Sequence, residues 1–293
     1  MKISLCLLFL LAAGGLHADT TIDPSHSFAY GANVGWLNWR GDVTNGAVVG
    51  EYVCSGYIWS GNVGWISLGS GAPENGIQYG NASASDFGVN LVGHSISGGV
   101  PRAQLRGFAY GANIGWINFE SQGNPEVSLS IGELTGFAWS ANCGWINLNS
   151  ATSFVQTDTI RSGVDSDGDG IADAYEFLHT SPPGLALLTA TGDVDGDGQS
   201  DLEEYLADTD PLDPDSNLRI TAFDTDSGSF SLTWTSDAAR RYRIESTVEL
   251  SDPMWELTLD NIPPDGTTTT RDGAIAASAQ RFYRVKAYRP LSP

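Results

Sequence analysis

Four short stretches in the first half of the chain alternate apolar and polar residues with a period of two. In each, an aromatic-rich segment precedes Asn-x-Gly, and Trp-Ile-Asn-Leu or a close variant follows; the copies span 28–39, 57–68, 108–119 and 137–148. This alternation is typical of a strand with one apolar face, and aromatic residues favour sheets. Asn followed two residues later by Gly is typical of a short loop that needs a positive φ. Each stretch is therefore predicted to form a β-hairpin.

The predicted hairpins are arranged as a duplicated pair. Their central Asn residues stand at positions 33, 62, 113 and 142, so the spacings are 29, 51 and 29 residues. Without gaps, residues 26–70 and 106–150 are identical at 18 of 45 positions, which internal duplication explains most simply. Other alternating segments, such as Val127–Ile131, are predicted to add strands. We therefore predict a β-repeat domain over residues 19–157.

The strand face that carries Trp in each copy has two interpretations. Aromatic rings beside amides provide what a sugar ring needs, namely apolar contact and hydrogen bonds at its edge. Alternatively, the presence of the pair in every copy indicates packing between neighbouring hairpins, because a single recognition site needs only one good copy. The candidate ligand-binding residues are Trp36, Trp65, Trp116, Trp145, Asn38, Asn118 and Asn147.

The start of the chain and its net charge restrict location and partners. Lys2, the apolar run Ile3–Ala13 and a cleavage site ending at Ala18 predict a secretory signal peptide over residues 1–18; the alternative is an uncleaved anchor. No later stretch is long and apolar enough to cross a membrane, so we expect a protein that is secreted, at the cell surface or in the periplasm. The net charge of −21 argues against nucleic-acid binding, which needs a basic surface.

Two cysteines, Cys54 and Cys143, follow the predicted signal peptide. Export permits a disulfide between them. Both align with apolar positions of the repeats, which indicates two buried free thiols instead. The sequence leaves the two possibilities open.

The strongest chemical signal is an acidic segment in the middle of the chain. Residues 158–215 hold 16 of the 35 acidic residues and one basic residue, Arg161. Residues 165–176 and 193–204 both read D-x-D-x-D-G-x5-E, a spacing that surrounds a hard cation with oxygen atoms. Two calcium ions are therefore predicted. The predicted ligands are Asp165, Asp167, Asp169, Ile171 (through its carbonyl), Asp173 and Glu176 in the first loop, and Asp193, Asp195, Asp197, Gln199 (through its carbonyl), Asp201 and Glu204 in the second.

These loops resemble the calcium loops of EF-hand proteins, of dockerin modules and of bacterial thrombospondin type 3 repeats. No entering helix precedes Asp165, so each loop is expected to have only its exiting helix, Asp173–His179 and Asp201–Ala207. The offset of 28 residues between the loops is longer than the dockerin duplication. The resemblance therefore implies a structural calcium module over residues 158–216, rather than a calcium sensor or a cohesin-binding dockerin.

The composition changes again from residue 217 onward. Alternating segments at 230–235, 241–246 and 281–288 are separated by Gly, Asp and Pro turns, so a small β-sandwich is predicted over residues 217–293. By pattern it resembles the fibronectin type III-like domains that end many bacterial secreted proteins. A cluster of arginines in this region is either a solvated sheet face or a site for an acidic surface polymer. The cluster comprises Arg240, Arg241, Arg243, Arg281 and Arg284.

The sequence lacks the motifs of common enzymes. It has no G-x-S-x-G, H-E-x-x-H, phosphate loop or dinucleotide fingerprint, so we expect no catalytic activity. We expect a mainly β protein in which a half-EF-hand calcium segment with two short helices stiffens the joint between an N-terminal β-hairpin domain and a C-terminal β-sandwich. The alternative is a carbohydrate-binding or adhesive module that uses the Trp/Asn face, with an extracellular polysaccharide or a cell-surface component as its partner.

Overall fold

The computed structural model describes residues 19–181, 184–226, 228–251, 254–275 and 280–292. The predicted signal peptide, residues 1–18, lies outside the described residues. Within them the chain is mainly β, as predicted, with two short α-helices and one 3₁₀ turn at Ser121–Gly123. None of the helices in this part of the chain is long and apolar enough to cross a membrane.

The region from residue 19 to residue 157 is built from strands, most of which are two to four residues long. The strands are β1 (Ile22–Gly31), β2 (Gly35–Asn38), β3 (Val48–Val49), β4 (Cys54–Ser55), β5 (Tyr57–Ser60), β6 (Gly64–Ser67), β7 (Val89–Ser97), β8 (Val100–Gly111), β9 (Gly115–Asn118), β10 (Glu126–Ser128), β11 (Glu133–Thr135), β12 (Phe137–Ser140), β13 (Gly144–Asn147) and β14 (Val155–Thr157). The strand predicted over Val127–Ile131 stops at Ser128, because the chain then turns back and Gly132 N donates to Ser128 O.

The four predicted hairpins are present and close into an eight-stranded barrel. Hairpins 1 to 4 are β1–β2, β5–β6, β8–β9 and β12–β13, and each is antiparallel. Neighbouring hairpins pair through β2–β5, β6–β8, β9–β12 and β13–β1, so pairing runs continuously around the ring. The other strands add to the ends of two barrel strands: β7 and β10 pair with β8, and β14 pairs with β1. Strand β11 lies between β10 and β14.

A ring of asparagines links the hairpins at one end of the barrel. The Nδ2 atoms of Asn33, Asn62, Asn113 and Asn142 donate to the backbone carbonyls of Cys143, Val34, Val63 and Ile114 respectively, at 2.9–3.1 Å. Each acceptor directly follows the Asn of the adjacent hairpin, so the four bonds form a cycle. The glycine of each Asn-x-Gly has a positive φ of 72–80°, as the sequence predicted.

Alternation divides the hairpin strands into a core face and an outer face. The core face buries Leu37, Ile66, Ile117 and Ile146, and Trp39 and Phe119 also lie in the core. The outer face carries three aromatic rings per hairpin, which we call the aromatic belt: Phe28, Tyr30, Trp36, Tyr57, Trp59, Trp65, Phe108, Tyr110, Trp116, Phe137, Trp139 and Trp145.

The packing interpretation of the Trp face is wrong. The four repeated tryptophans, Trp36, Trp65, Trp116 and Trp145, are 44–50% exposed and do not fill a buried contact between hairpins. Their ring contacts are with aromatic residues of their own hairpin and, for Trp116, also with Phe87. The core between the hairpins is filled by the opposite face.

Both cysteines are buried and free. Cys54 lies in β4 and contributes to the barrel core, where burial raises the pKa of its thiol to about 12. Cys143 lies in the turn of hairpin 4 and accepts the bond from Asn33 through its carbonyl. The structure therefore has the buried thiols, not the disulfide.

The acidic segment contains α1 (Asp173–His179) and α2 (Asp201–Ala207), with the bounds that the sequence predicted. Helix α2 begins with a capping box, in which the Ser200 side chain accepts from Glu203 N and the Glu203 side chain accepts from Ser200 N. Tyr175 and Tyr205, one from each helix, have ring centroids 5.1 Å apart in a small core of their own. The two helices therefore form one unit.

The C-terminal region contains two small antiparallel sheets around one core. Its strands are β15 (Ile220–Asp226), β16 (Ser229–Thr235), β17 (Arg241–Thr247), β18 (Glu256–Ile262), β19 (Thr268–Ala274) and β20 (Phe282–Tyr288). The sheets, β15–β16–β19 and β18–β17–β20, both contribute to a core that includes Trp234 and Tyr242. The segments predicted at 230–235, 241–246 and 281–288 correspond to β16, β17 and β20.

The arginine cluster of this region is not a single surface. Arg240 and Arg241 are only 3–4% exposed, so both interpretations of the cluster, a solvated face and a polymer site, are wrong for these two residues. Arg243 and Arg284 pair with Glu245, and Arg281 pairs with Glu256. Arg241 instead donates to the carbonyl of Leu129, next to the barrel.

Candidate metal centres

The two acidic loops fold around their first aspartate in the same way. In each loop this side chain accepts the backbone N–H groups of the fourth and sixth loop residues, at 2.7–3.1 Å. The sixth residues, Gly170 and Gly198, have φ near 97°, which residues with a Cβ rarely adopt. The glycine that the sequence pattern contains is therefore required by the turn.

Each loop brings three aspartates together. Side-chain oxygens of Asp165, Asp167 and Asp169 lie within 4.8 Å of one another, and so do those of Asp193, Asp195 and Asp197. Oxygen ligands that are each 2.3–2.6 Å from a calcium ion lie up to about 5 Å apart. The two triads therefore have the size of calcium sites, and they are the predicted ligands at positions 1, 3 and 5.

The glutamates at position 12 are the clearest sign of a missing positive charge. Glu176 and Glu204 lie in the first turns of α1 and α2 and are fully buried. Both carboxylate oxygens of Glu176, and Oε2 of Glu204, have no hydrogen-bond partner among the described residues. A buried unpaired carboxylate costs several kcal/mol, so this donor set fits a bound divalent cation.

Burial and the neighbouring negative charges also raise the pKa values of these two glutamates. Burial, followed by the charges of the neighbouring loop aspartates, raises the pKa of Glu176 to about 8. Burial, followed by Asp195 and Asp197, raises the pKa of Glu204 to about 8. Oδ2 of Asp169, Asp195 and Asp197 is also buried without a partner. In the described part of the chain, no basic residue is among the main influences on the pKa of either glutamate.

The remaining predicted ligands shape the loops. Asp173 accepts from the backbone N and the Oγ of Ser166 at 2.7 and 2.6 Å. Asp201 accepts from Thr189 N and Val194 N at 2.8 and 3.1 Å. Both side chains thus stabilise the conformation of the loops through hydrogen bonds to the loop backbone.

The two predicted carbonyl ligands belong to residues that stand just before the helices. Ile171 N donates to Asp169 at 2.9 Å, and Gln199 N donates to Asp197 at 2.7 Å. These bonds fix the backbone at position 7, from which the carbonyl ligand is expected to come.

A buried charge network beside α2 carries no sequence motif. Arg240 Nη2 lies 3.1 Å from Glu51 Oε1 and 3.1 Å from Asp208 Oδ1. Tyr205 Oη donates to Glu51 Oε2 at 2.7 Å. Burial alone would lower the pKa of Arg240, but Asp208 and Glu51 outweigh it and the pKa is raised. The network joins the barrel region, the acidic segment and the C-terminal region.

The asparagines of the Trp/Asn face have a local partner. The side-chain oxygens of Asn38, Asn118 and Asn147 accept the backbone N–H two residues further on, at 2.5–3.0 Å. These bonds turn the chain at the end of each hairpin. The three asparagines and the four tryptophans are distributed around the barrel and do not form one cluster.

The resemblance of the two loops to EF-hand-type calcium loops is a resemblance of short motifs. It covers residues 165–215, and the rest of the chain carries no part of it. Comparisons of the chain with models of protein families, with curated proteins and with solved structures found no match.

Proposed function

We propose that this is an exported calcium-binding structural protein, in which two cation loops hold the joint between the barrel and the C-terminal sheets. The observation that carries the proposal is the burial of Glu176 and Glu204 with unpartnered oxygens beside the aspartate triads. Calcium supplies the positive charge that these carboxylates lack, and it accepts six to eight oxygen ligands. The signal-like residues 1–18 support export, and the proposal assigns no catalytic activity.

The joint connects to the cation loops through α2. Glu204 belongs to the second cation site, and the next residue, Tyr205, bonds to Glu51 of the barrel region. The Tyr205 carbonyl also accepts from Arg240 Nη2 at 2.9 Å, and Asp208, directly after the helix, pairs with the same arginine. Fixing α2 therefore fixes contacts with both neighbouring regions.

Helix α1 provides a second connection to the barrel region. A Cβ placed on Gly76 would lie 2.5 Å from the Phe177 ring. The helix therefore packs closely on the chain segment around Gly76. Tyr175 Oη donates to the Thr209 carbonyl at 2.6 Å, which ties α1 to the residues after α2. Each loop therefore positions a helix that contacts another part of the protein.

Charge explains why this joint should depend on calcium. Residues 158–215 contain 16 acidic residues and one arginine, a charge of −15 that two calcium ions reduce to −11. The apolar core of the two helices is small, so metal binding must supply much of the free energy that orders the segment.

Limited proteolysis with and without a chelator, followed by mass spectrometry, tests the proposal. In chelator, cleavage should concentrate between residues 158 and 215, while fragments of the barrel and of the C-terminal sheets remain intact. Identical cleavage in both conditions would show that calcium does not hold the joint.

Variants at position 12 assign the effect to the cation sites. Calorimetric titration of the wild type should give two sites with dissociation constants between about 10⁻⁷ and 10⁻³ M. Glu176→Gln and Glu204→Gln should each weaken one of them. Glu203→Gln is the matched control, because it removes the same charge one residue away and Gln still serves in a capping box. Finding fewer than two sites in the wild type would contradict the assignment.

A further inference from the structure

The irregular spacing of the hairpins has a counterpart on the aromatic belt. Within each unit the central Asn residues are 29 apart, but 51 residues separate those of hairpins 2 and 3. The additional residues form a loop over 69–88, closed at its base by the bridge between Gly69 and Gly88. Phe87 of this loop meets Trp116 edge-on, with ring centroids 5.1 Å apart. The loop thus adds a wall beside one tryptophan of the belt.

The loop and the belt border an open depression that we call the loop cleft. Its volume is about 390 Å³, and its lining includes Trp116, Phe108 and Phe87 on the aromatic side and Asn81 and Ser83 on the polar side. This volume lies in the range of small-molecule sites in proteins, about 300–1,000 Å³. The cleft is absent from the repeat pattern itself, because the wall comes from the inserted residues.

The wall of the loop cleft is held in place by buried bonds. Tyr79 is 4% exposed, and its hydroxyl donates to the Cys54 carbonyl at 3.1 Å and accepts from Gly71 N at 2.6 Å. Tyr79 and Asn90 also exchange two hydrogen bonds, at 2.9 and 3.0 Å. Beside Phe87, Asp86 accepts from Gly80 N at 2.8 Å in a bond that is exposed. A ligand therefore meets a cleft that is already formed, which lowers the entropy cost of binding.

A second cleft lies on the adjacent hairpin. Tyr57, Trp65, Asp42 and Asn45 line a space of about 330 Å³. The Asp42 carboxylate accepts from Thr44 N and Asn45 N, at 2.9 and 2.6 Å, so this polar rim is also fixed. Hairpins 2 and 3 are neighbours in the barrel through β6–β8. Two clefts of similar composition thus belong to neighbouring hairpins.

The lining of the clefts identifies the chemistry of the ligand. An aromatic floor with amide, hydroxyl and carboxylate groups at the rim suits a ring that is apolar on its faces and carries hydroxyls at its edge. Among the residues that the structure describes, neither cleft has a basic residue in its lining. The chain has a net charge of −21, which repels polyanions. We propose that the loop cleft and the second cleft bind sugar rings of an uncharged polysaccharide.

The presence of two clefts on neighbouring hairpins favours a polymer over a single sugar. For a chain of identical units that reaches both clefts, the second contact is intramolecular, which raises the overall affinity. None of the cleft residues is a candidate calcium ligand, but the loop over 69–88 contacts α1 through Gly76, so binding is tested with calcium present.

The test uses the mature full-length protein in calcium, with cellulose, chitin, β-1,3-glucan and starch as uncharged probes and alginate and pectate as anionic ones. Retention on at least one uncharged polysaccharide is expected, with no retention on the anionic ones. Trp116→Ala should weaken that binding more than about tenfold, as expected for a central aromatic contact. Trp36→Ala is the matched control, because Trp36 occupies the same position on hairpin 1 and its ring contacts are with Phe28 and Tyr30.

The fold of the variants and the range of polysaccharides retained complete the test. Circular dichroism checks that Trp116→Ala is folded; if it is not, Phe87→Ala removes the wall of the loop cleft and should give the same loss. Retention on none of the uncharged polysaccharides, or on the anionic ones alone, would overturn the proposal. Equal losses in Trp116→Ala and Trp36→Ala would also overturn it, because the belt as a whole would then be the binding surface and not the clefts.

Discussion

The barrel and the acidic segment are ordered by opposite means. The barrel buries a continuous set of aliphatic and aromatic side chains and closes its own hydrogen bonds around a ring. The acidic segment has a small core around Tyr175 and Tyr205 and buries carboxylate oxygens that have no hydrogen-bond partner among the described residues. The barrel sequence therefore supplies its own order, whereas we propose that the order of the acidic segment depends on calcium from the solution. One chain thus combines a permanent part with a conditional part.

The largest effect is expected from the barrel core. Trp39 is buried against Phe119 with ring centroids 6.2 Å apart, so Trp39→Ala should lower the free energy of unfolding by about 3–5 kcal/mol. Trp36→Ala, three residues away on the exposed belt, should cost less than about 1 kcal/mol. Chemical denaturation followed by circular dichroism measures both. Equal losses would show that the belt, too, is part of the packing and would weaken the contrast between the two faces.

The next effect concerns the conditional part and its dependence on pH. Glu176 and Glu204 have pKa values raised from 4.5 to about 8, and calcium binds the deprotonated form. Each site must therefore release a proton below pH 8, and its affinity should rise about tenfold per pH unit well below pH 8, or about fiftyfold from pH 6 to pH 8. Titration calorimetry in buffers of different ionisation enthalpy measures the protons released.

Two further results sharpen this prediction. In Glu176→Gln, the proton released at the first site should disappear and that at the second should remain. Without calcium, the pH dependence of the free energy of unfolding has the opposite sign. The glutamates of the unfolded chain ionise near pH 4.5, whereas the folded ones keep their protons to about pH 8. The segment therefore loses stability as the pH rises between these two values. An affinity that does not change with pH would contradict the buried position of the two glutamates.

The smallest effect is expected from the asparagine ring. Each of Asn33, Asn62, Asn113 and Asn142 makes one equivalent bond to its neighbour, so each single change to Ala should cost about 1 kcal/mol. Thermal unfolding of the four variants compares them directly. A loss at one position several times that at the other three would show that the hairpins do not contribute equally to the ring.

Local features of this protein could be predicted from its sequence. The hairpins follow from alternation and from Asn-x-Gly, and α1 and α2 follow from loops whose twelve-residue spacing determines where a helix begins. The aspartate triads follow from the same spacing, because alternate residues of a tight loop point inward.

Features that join distant residues could not be predicted. The outward direction of the belt depends on which strand face the closed ring encloses, and no single hairpin determines that. Arg240 was predicted as part of a surface because its partners, Glu51 and Asp208, lie far away in the sequence. The loop cleft was missed for the same reason: Phe87 and Trp116 belong to different elements. The one available signal was the spacing of 51 residues between hairpins 2 and 3.

The closure of the barrel has a consequence for how the chain folds. The bond from Asn33 to Cys143 and the pairing of β1 with β13 join residues more than 100 positions apart. Contacts between distant residues slow folding, because the entropy of closing a long loop is lost before the contact is gained. The chain is synthesised from its N-terminus, so β1 of hairpin 1 lacks its barrel partner β13 until hairpin 4 has formed. Until then, the open edge of β1 can pair with other chains. The slowest and most aggregation-prone stage of folding is thus the last one, when the first hairpin meets the fourth.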